Sequence, residues 1–176
     1  MVQIDTERLC ILPFTLDLID AAERNDPTMY ERLRIVPDRE WPEPDLKNAL
    51  PVFRAEIARE GVTGFGPWII LSRQREIVGS AGFLGKPQDG VVEIGFGILP
   101  GKQRNGYCAE AISALINWGR GQPAVRRIIA RCEKNNPASR HALAKIGFTL
   151  VREDGDLLEW VFAEKNVDSH LKGEGG

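Results

Sequence analysis

The segment from Gln103 to Cys108 lies between a strand pattern and an amphipathic helix pattern, and it constrains the fold more than any other stretch. Apolar residues predict a strand over 91–99, and they recur at helical spacing from about Gly106 to Gly119. The helix then begins beyond the strand, where its free N–H groups and positive dipole end suit a diphosphate. Gly106 lets the backbone approach such a ligand closely. The apolar face would carry Cys108, Ala111, Ile112, Leu115 and Ile116.

Two other phosphate-binding motifs do not fit this segment. Gly101 and Gly106 have the Gly-x-x-x-x-Gly spacing of nucleotide triphosphatases, but Tyr107 and Cys108 stand where that motif needs Lys and Ser or Thr. The glycines of the preceding strand and Gly101 miss the dinucleotide-binding fingerprint by one residue. Taken alone, the segment predicts only a helix terminus that binds phosphate.

The rest of the chain predicts an α/β (α+β) fold with a mixed, mostly antiparallel central sheet flanked by helices. Further strands are expected over 7–14, 68–71, 77–84, 127–132, 148–152 and 157–162, and a further helix over 137–146. The helix expected from about Gly106 to Gly119 connects strand 91–99 to strand 127–132, and this crossover makes the two strands parallel. We expect one domain over 1–163 and a frayed tail over 164–176.

The region before Trp68 predicts three helices. Thr15 is the expected cap of the first, whose buried stripe would hold Leu16, Ile19 and Ala22, and Asp26 caps the second ahead of Pro27. The buried side of the second would hold Met29, Tyr30 and Leu33. The third is expected to be capped by Asp45, to run to Gly61, and to be kinked or split in two by Pro51.

The net charge of -2 conceals an uneven distribution of charge. Residues 1–60 hold 13 acids and 8 bases, a balance of -5, whereas residues 102–145 hold nine bases and two acids, a balance of +7. The basic block would suit a polyanionic ligand, or it is a solvated face whose charges are paired elsewhere.

Three scattered cysteines and two isolated histidines predict reduced thiols and no metal site. The polar start of the sequence predicts a cytoplasmic protein.

Two motifs carry a resemblance to a known family. The run Glu-Ile-Gly-Phe-Gly-Ile-Leu-Pro over 93–100, followed by Gln-x-x-Gly-x-Cys, resembles motif A of the GCN5-related N-acetyltransferase (GNAT) superfamily. The segment from Asn136 to Phe148 is similar to the Asn-x-x-Ser…Lys-x-Gly-Phe segment of its RimJ/RimL branch, which acetylates ribosomal-protein N-termini. The opening Thr6-Glu7-Arg8-Leu9 also suits that branch.

The resemblance implies the GNAT fold, with its fourth and fifth strands, here 91–99 and 127–132, parallel and splayed around the pantetheine arm of acetyl-CoA. Arg104 stands where the family usually has glycine, and Cys108 stands where it has glycine or alanine. Because the implied contacts with the diphosphate come mainly from backbone N–H groups, we expect neither difference to abolish binding. We expect Cys108 to be a packing residue and not a nucleophile. The cofactor-binding residues implied are Ile98, Gln103, Arg104, Asn105, Gly106, Tyr107, Cys108 and Asn136.

Two residues are candidates for catalysis. Amine attack needs a neutral amine, and Glu93, on the strand face of Gly95 and Gly97, is the candidate base, directly or through water. The alternative is a solvent-facing glutamate. The tyrosine acid that many family members carry is absent, since Leu143 occupies its position. The resemblance gives Ser139 the role of a hydrogen-bond donor to the sulfur, whereas the plainer interpretation is that Ser139 and Asn136 cap a helix.

The sequence therefore predicts acetyl transfer from acetyl-CoA to a primary amine by direct attack in a ternary complex. A protein N-terminus is the favoured acceptor, with a small-molecule or antibiotic amine as the alternative within the enzyme class. A catalytically weak acyl-CoA-binding module is the alternative outside it. We expect no nucleic-acid or membrane partner, and the sequence leaves the oligomeric state open, a homodimer included.

Overall fold

A single mixed sheet of eight strands runs through residues 2–162, the part of the chain that this computed structural model describes. The strand order is β1-β2-β3-β4-β5-β6-β8-β7. The predicted tail over 164–176 lies outside the described residues, and the single-domain boundary at 163 stays a prediction. The strands are β1 Ile4–Asp5, β2 Leu9–Pro13, β3 Pro67–Ser72, β4 Ile77–Phe83, β5 Val91–Ile98, β6 Arg127–Glu133, β7 Phe148–Asp154 and β8 Leu157–Phe162. The helices are α1 Leu16–Arg24, α2 Pro27–Leu33, α3 Pro44–Glu60, α4 Tyr107–Arg120 and α5 Pro137–Ile146.

The topology confirms the predicted mixed sheet. Strands β2 to β5 form an antiparallel meander, and α4 carries the chain across to β6, which is parallel to β5. Strand β8 then pairs antiparallel with both β6 and β7. The expected fourth and fifth strands are therefore β5 and β6. The shift in numbering comes from β1, whose two residues are too few to leave a periodic pattern.

Helices cover both faces of the sheet, because its central strands are apolar on both sides. Every residue of β3 is buried, which is typical of a strand enclosed between two layers. One core cluster, beneath α4 and α5, includes Trp68, Ile70, Ile94, Ile112, Leu115 and Leu143. The other core cluster, beneath α1 to α3, includes Phe14, Ile19, Trp41, Leu50, Ile69 and Leu71.

The first two helices begin where their caps were predicted. Thr15 Oγ1 accepts a hydrogen bond from the Leu18 N–H at 3.2 Å, and Asp26 Oδ1 accepts one from the Thr28 N–H at 3.0 Å. The expected burial of Leu16 is wrong, since 38% of this residue is exposed. At 100° per residue it lies about 140° from the centre of the buried face. That face consists of Leu18, Ile19, Ala21 and Ala22.

On α2, the predicted inner side is confirmed, with Tyr30 buried and Met29 and Leu33 packed partly against the same cluster. On α3, the alternative of two separate pieces is wrong, because one helix runs from Pro44 to Glu60 through Pro51, and the alternative of a kink stays a prediction. Asp45 is not its cap either, since the preceding residue Pro44 already occupies the first turn. Proline suits that first turn because the N–H there has no helical partner.

Packing explains why α3 continues through its proline. Leu50 is fully buried, and Phe53 and Ile57 pack against the same core cluster on the next two turns. Burial of this face stabilises the helix by more than the loss of one backbone hydrogen bond costs, so the helix forms despite Pro51. Pro51 itself points to solvent.

We therefore expect Pro51→Ala to raise the free energy of unfolding by about 1–2 kcal/mol, because it restores an interior hydrogen bond and removes a steric clash. Denaturant unfolding measures the change. Pro44→Ala is the matched control, since Pro44 occupies the first turn, and it should change stability by less than about 0.5 kcal/mol. Equal effects of the two substitutions would contradict this account of α3.

Candidate active site

Strands β5 and β6 part after a short paired stretch. They pair only through Val91 to Glu93, opposite Arg127 to Ile129. Beyond Glu93, β5 keeps β4 as its neighbour, while β6 pairs with β8. In the part of the chain that the structure describes, the edge of β5 from Ile94 to Ile98 thus faces no strand. Apart from the Ile98 carbonyl, which accepts a hydrogen bond from Gln103, its backbone groups on that side are available to an extended ligand.

The N-terminus of α4 lies just past the end of this open edge. Gly106 occupies the N-cap position with φ 78°, and no side chain caps the helix. The N–H groups of the first turn, Tyr107 to Ala109, have no partner within the helix. Together with the dipole of this 14-residue helix, they make a site for an anionic group.

The side chains of the turn before α4 brace its backbone. Gln103 Nε2 donates to the Ile98 carbonyl oxygen at 3.0 Å, and Asn105 Nδ2 donates to the Lys102 and Gln103 carbonyls at 3.1 and 3.2 Å. Arg104 adopts a left-handed conformation with φ 64°. These predicted cofactor residues therefore lie together, with two side chains holding the turn and the backbone N–H groups left for a ligand.

Arg8 ties the N-terminal segment to this turn, a role that the sequence did not reveal. Its guanidinium donates to Glu110 Oε2 at 2.7 Å and to the Asn105 carbonyl at 2.7 Å, and lies 4.6 Å from the ring centre of Tyr107. Thr6 Oγ1 donates to Glu110 Oε1 at 2.6 Å. Burial opposes ionisation of Glu110, but these hydrogen bonds outweigh it and hold the pKa of its carboxyl below the ordinary value.

The basic block is only partly free to meet a ligand. Arg131 pairs with Glu93 at 2.7 Å, and Lys102 and Lys134 each pair with an acid outside the block at 3.3 Å. Among residues 2–162, Arg104 has no charged partner, and it lies on the turn itself. The excess of positive charge at the turn therefore rests mainly on Arg104 and the start of α4.

Cys108 packs against the core cluster beneath α4. Burial raises the pKa of its thiol to about 11, so the group is protonated at neutral pH and is a poor nucleophile. This environment agrees with the expected packing role.

Asn136 and Ser139 meet at the start of α5, where Asn136 Oδ1 accepts the Ser139 N–H at 3.1 Å. The cap uses the backbone of Ser139 and leaves its hydroxyl uninvolved. Asn136 is exposed and Ser139 half-buried. The role of Ser139 as a donor to the sulfur stays a prediction.

Glu93 lies at the closed end of the splay, in the last residue pair of β5 with β6. Its carboxylate accepts from Arg131 Nη1 at 2.7 Å, and Arg131 also pairs with Glu159 at 3.2 Å. The role of Glu93 as base stays a prediction.

A cavity of about 430 Å³ lies between the start of α3 and strands β4 and β5. Gly95 and Gly97 form part of its wall, and a side chain at Gly95 would meet nothing within 4 Å. The missing side chains thus leave the room that the strand alternation predicted. The charged residues of the wall, Glu43 and Asp45, are both acidic, and neither was expected here. No cluster of metal-ligating side chains occurs within residues 2–162.

Comparison with known proteins identifies the family. A family model described as an acetyltransferase (GNAT) domain matches residues 8–149. The chain belongs to the GNAT acetyltransferase family. It is an acyltransferase, and this family uses acetyl-CoA as its cosubstrate. A relative from Bacillus subtilis (strain 168), the uncharacterized N-acetyltransferase YjdG, is 39% identical over 168 residues, which cover 94% of this chain and 100% of the relative.

Solved structures of GNAT enzymes share the fold. An acetyltransferase from Agrobacterium tumefaciens superposes with a TM-score of 0.66 at 22% identity, covering 93% of this chain and 95% of that one. RimL, the ribosomal L7/L12 alpha-N-protein acetyltransferase, in complex with coenzyme A, superposes with a TM-score of 0.65 at 18% identity, covering 91% and 97%. Within the described residues, every helix of this GNAT protein is too short or too polar to span a bilayer.

We expect Arg8→Ala to weaken the binding of acetyl-CoA, because the turn before α4 loses the contacts that hold it to the N-terminal segment. A loss of about 1–2 kcal/mol corresponds to a Kd that rises about 5- to 30-fold in isothermal titration calorimetry. Arg24→Ala, which removes the same charge at the end of α1, is the control and should leave the Kd unchanged. A Kd unaffected by Arg8→Ala would show that the turn holds its shape alone.

Proposed function

We propose that this GNAT protein transfers the acetyl group of acetyl-CoA to a primary amine by direct attack in a ternary complex. The observation that carries the proposal is the open edge of β5 ending at the uncapped start of α4. An extended ligand fits both features if a hydrogen-bonding arm lies along the open edge of β5 and a diphosphate at the end of that arm lies at the start of α4. Acetyl-CoA has this form.

In the proposed complex, the backbone of Ile94 to Ile98 holds the pantetheine arm. The diphosphate lies against the N–H groups from Gly106 to Ala109, and the charge of Arg104 favours its binding. Asn136 contributes its side-chain amide nitrogen to the arm, since its oxygen caps α5. The thioester then lies near Gly95 and Gly97, where the cavity opens on the other side of β5.

The acidic cavity supports an amine acceptor, because amines are mostly cationic at neutral pH. A protein N-terminus is the acceptor that we favour, since several proteins of the same fold are named as ribosomal-protein acetyltransferases. A small-molecule amine is the alternative. Within the proposed mechanism, Ser139 donates a hydrogen bond to the departing sulfur, and the residue that accepts the proton of the amine is a carboxylate.

A panel of acceptors tests the function directly. Thiol release from acetyl-CoA is measured with tetrapeptides that have free N-termini, their Nα-acetylated forms, alkyl diamines and aminoglycosides. We expect turnover with at least one free amine and none with the blocked peptides. Acetyl-CoA binding in calorimetry without turnover on any acceptor would instead indicate a binding module.

Ser139→Ala tests the sulfur contact without disturbing the helix cap, because the cap uses the Ser139 backbone N–H. Loss of a hydrogen bond to the charged sulfur should lower kcat about tenfold and leave the Kd for acetyl-CoA unchanged. Ser113→Ala, on the exposed face of α4, is the control. If kcat is unchanged in Ser139→Ala, then Ser139 serves only the start of α5.

A further inference from the structure

Glu43 is a half-buried acid at the wall of the cavity, and one of its two carboxylate oxygens has no partner within residues 2–162. Its Oε1 atom is shielded from solvent and has no hydrogen-bond partner among the described residues. Buried carboxylate oxygens are nearly always hydrogen-bonded, since an unpaired one destabilises the fold. Glu43 stands at the N-cap position of α3, but its side chain makes no capping bond there. The group is thus kept in an unfavourable place, which is typical of a functional residue.

The neighbouring residues hold Glu43 in this position. Trp41 is buried, its indole Nε1 donates to Ser80 Oγ of β4 at 2.7 Å, and its ring packs edge-on against Phe14 at 6.0 Å. Pro44 then starts α3 immediately after Glu43. The segment is therefore fixed to the sheet on one side and to the helix on the other.

Glu43 faces the part of β5 that has separated from β6. A Cβ atom built on Gly97 would lie 3.5 Å from Glu43 Oε1, so even a methyl group at that position would touch the carboxylate. Gly97 also belongs to the open edge on which the thioester lies in the proposed function. The carboxylate and the thioester site thus lie at the same residue of β5, with the cavity leading to both.

We propose that Glu43 binds the ammonium group of the acceptor in this cavity and takes its proton before attack on the thioester. The proposal rests on the proposed function, and it names the acceptor class as a primary amine that enters as a cation. No lysine, arginine or histidine belongs to the described wall of the cavity, so the carboxylate has no competing cation there.

The reaction balances as follows. The ammonium gives one proton to the Glu43 carboxylate, and the neutral nitrogen uses its lone pair to form a C–N bond to the thioester carbon. The C–S bond breaks and its electron pair leaves with the sulfur. The second proton on nitrogen passes to the thiolate, which yields the amide and coenzyme A. Glu43 returns its proton to solvent through the cavity mouth.

The position of Glu43 suits a base better than that of Glu93. Glu93 is ion-paired with Arg131 and lies outside the wall of the cavity, although Gly95 and Gly97 on the same strand form part of that wall. Burial raises the pKa of the Glu43 carboxyl; a hydrogen bond from its own backbone N–H opposes the rise, and the negative charge of Asp45 adds a smaller increase. Strands β4 and β5 bring no ionisable group to the wall, and α3 brings only Asp45. A raised pKa makes the carboxylate a stronger proton acceptor.

The test compares three variants by the rate of thiol release, using the best acceptor from the panel above. Glu43→Gln keeps the shape of the side chain and removes the base, and Glu93→Gln does the same at the competing position. Glu40→Gln is the control, because Glu40 is exposed and lies outside the cavity wall, and this substitution removes the same negative charge as Glu43→Gln. Calorimetry with acetyl-CoA and thermal unfolding accompany each variant.

We expect Glu43→Gln to lower kcat/KM about 100-fold at pH 7, with acetyl-CoA affinity and Tm not reduced. The deficit should shrink as the pH rises through the pKa of the acceptor amine, because the free amine then needs no base. In the parent protein, kcat/KM should fall as the pH drops through the raised pKa of Glu43, and Glu43→Gln should lose this limb.

Two kinds of outcome overturn the proposal, one concerning Glu43 alone and one concerning the proposed function, and they are distinguishable. Unchanged turnover in Glu43→Gln, or an equal deficit at every pH, removes Glu43 as base, and a large deficit in Glu93→Gln alone assigns that role to Glu93. Binding of acetyl-CoA without acetylation of any acceptor by the parent protein overturns the proposed function itself, and the role of Glu43 with it.

Discussion

The separation of β5 from β6 after Glu93 is the constraint on which the whole site depends. A continuous ladder would satisfy the backbone of β5 on both edges and leave nothing for a ligand to bind. Because the two strands part, one edge of β5 opens just below the start of α4. The proposed cofactor site and the proposed acceptor cavity then share the same short stretch of backbone, from Ile94 to Ile98.

Much of this arrangement follows from the sequence. Periodicity is strong in the strands and in α4 and α5, so their order and the parallel crossover were correctly predicted. The turn from Gln103 to Cys108 lies where the resemblance implied, next to the open edge. Gly95 and Gly97 leave space as the alternation of the strand required. These features depend on local spacing, which a sequence displays directly.

The features that the sequence did not show depend on distant contacts. Arg8 and Glu110 meet across 102 positions of the chain, and the Trp41–Ser80 hydrogen bond that holds the segment before α3 spans 39. Helix α3 continues through Pro51 because Leu50 is buried, which local propensity does not reveal. Glu43 as base is likewise a proposal from tertiary structure, while Glu93 and Ser139 stay predictions from the sequence.

The bridge from Arg8 to Glu110 and Asn105 also couples the N-terminal segment to the turn before α4, where we propose that the cofactor binds. A ligand that orders the turn before α4 also stabilises the contact of this turn with the segment that precedes β2. By linkage, ordering of that segment increases the affinity of the turn for the ligand. The edge of the sheet and the proposed diphosphate site therefore form one cooperative unit. A change in the N-terminal segment that displaces residue 8 would therefore change the affinity for the cofactor.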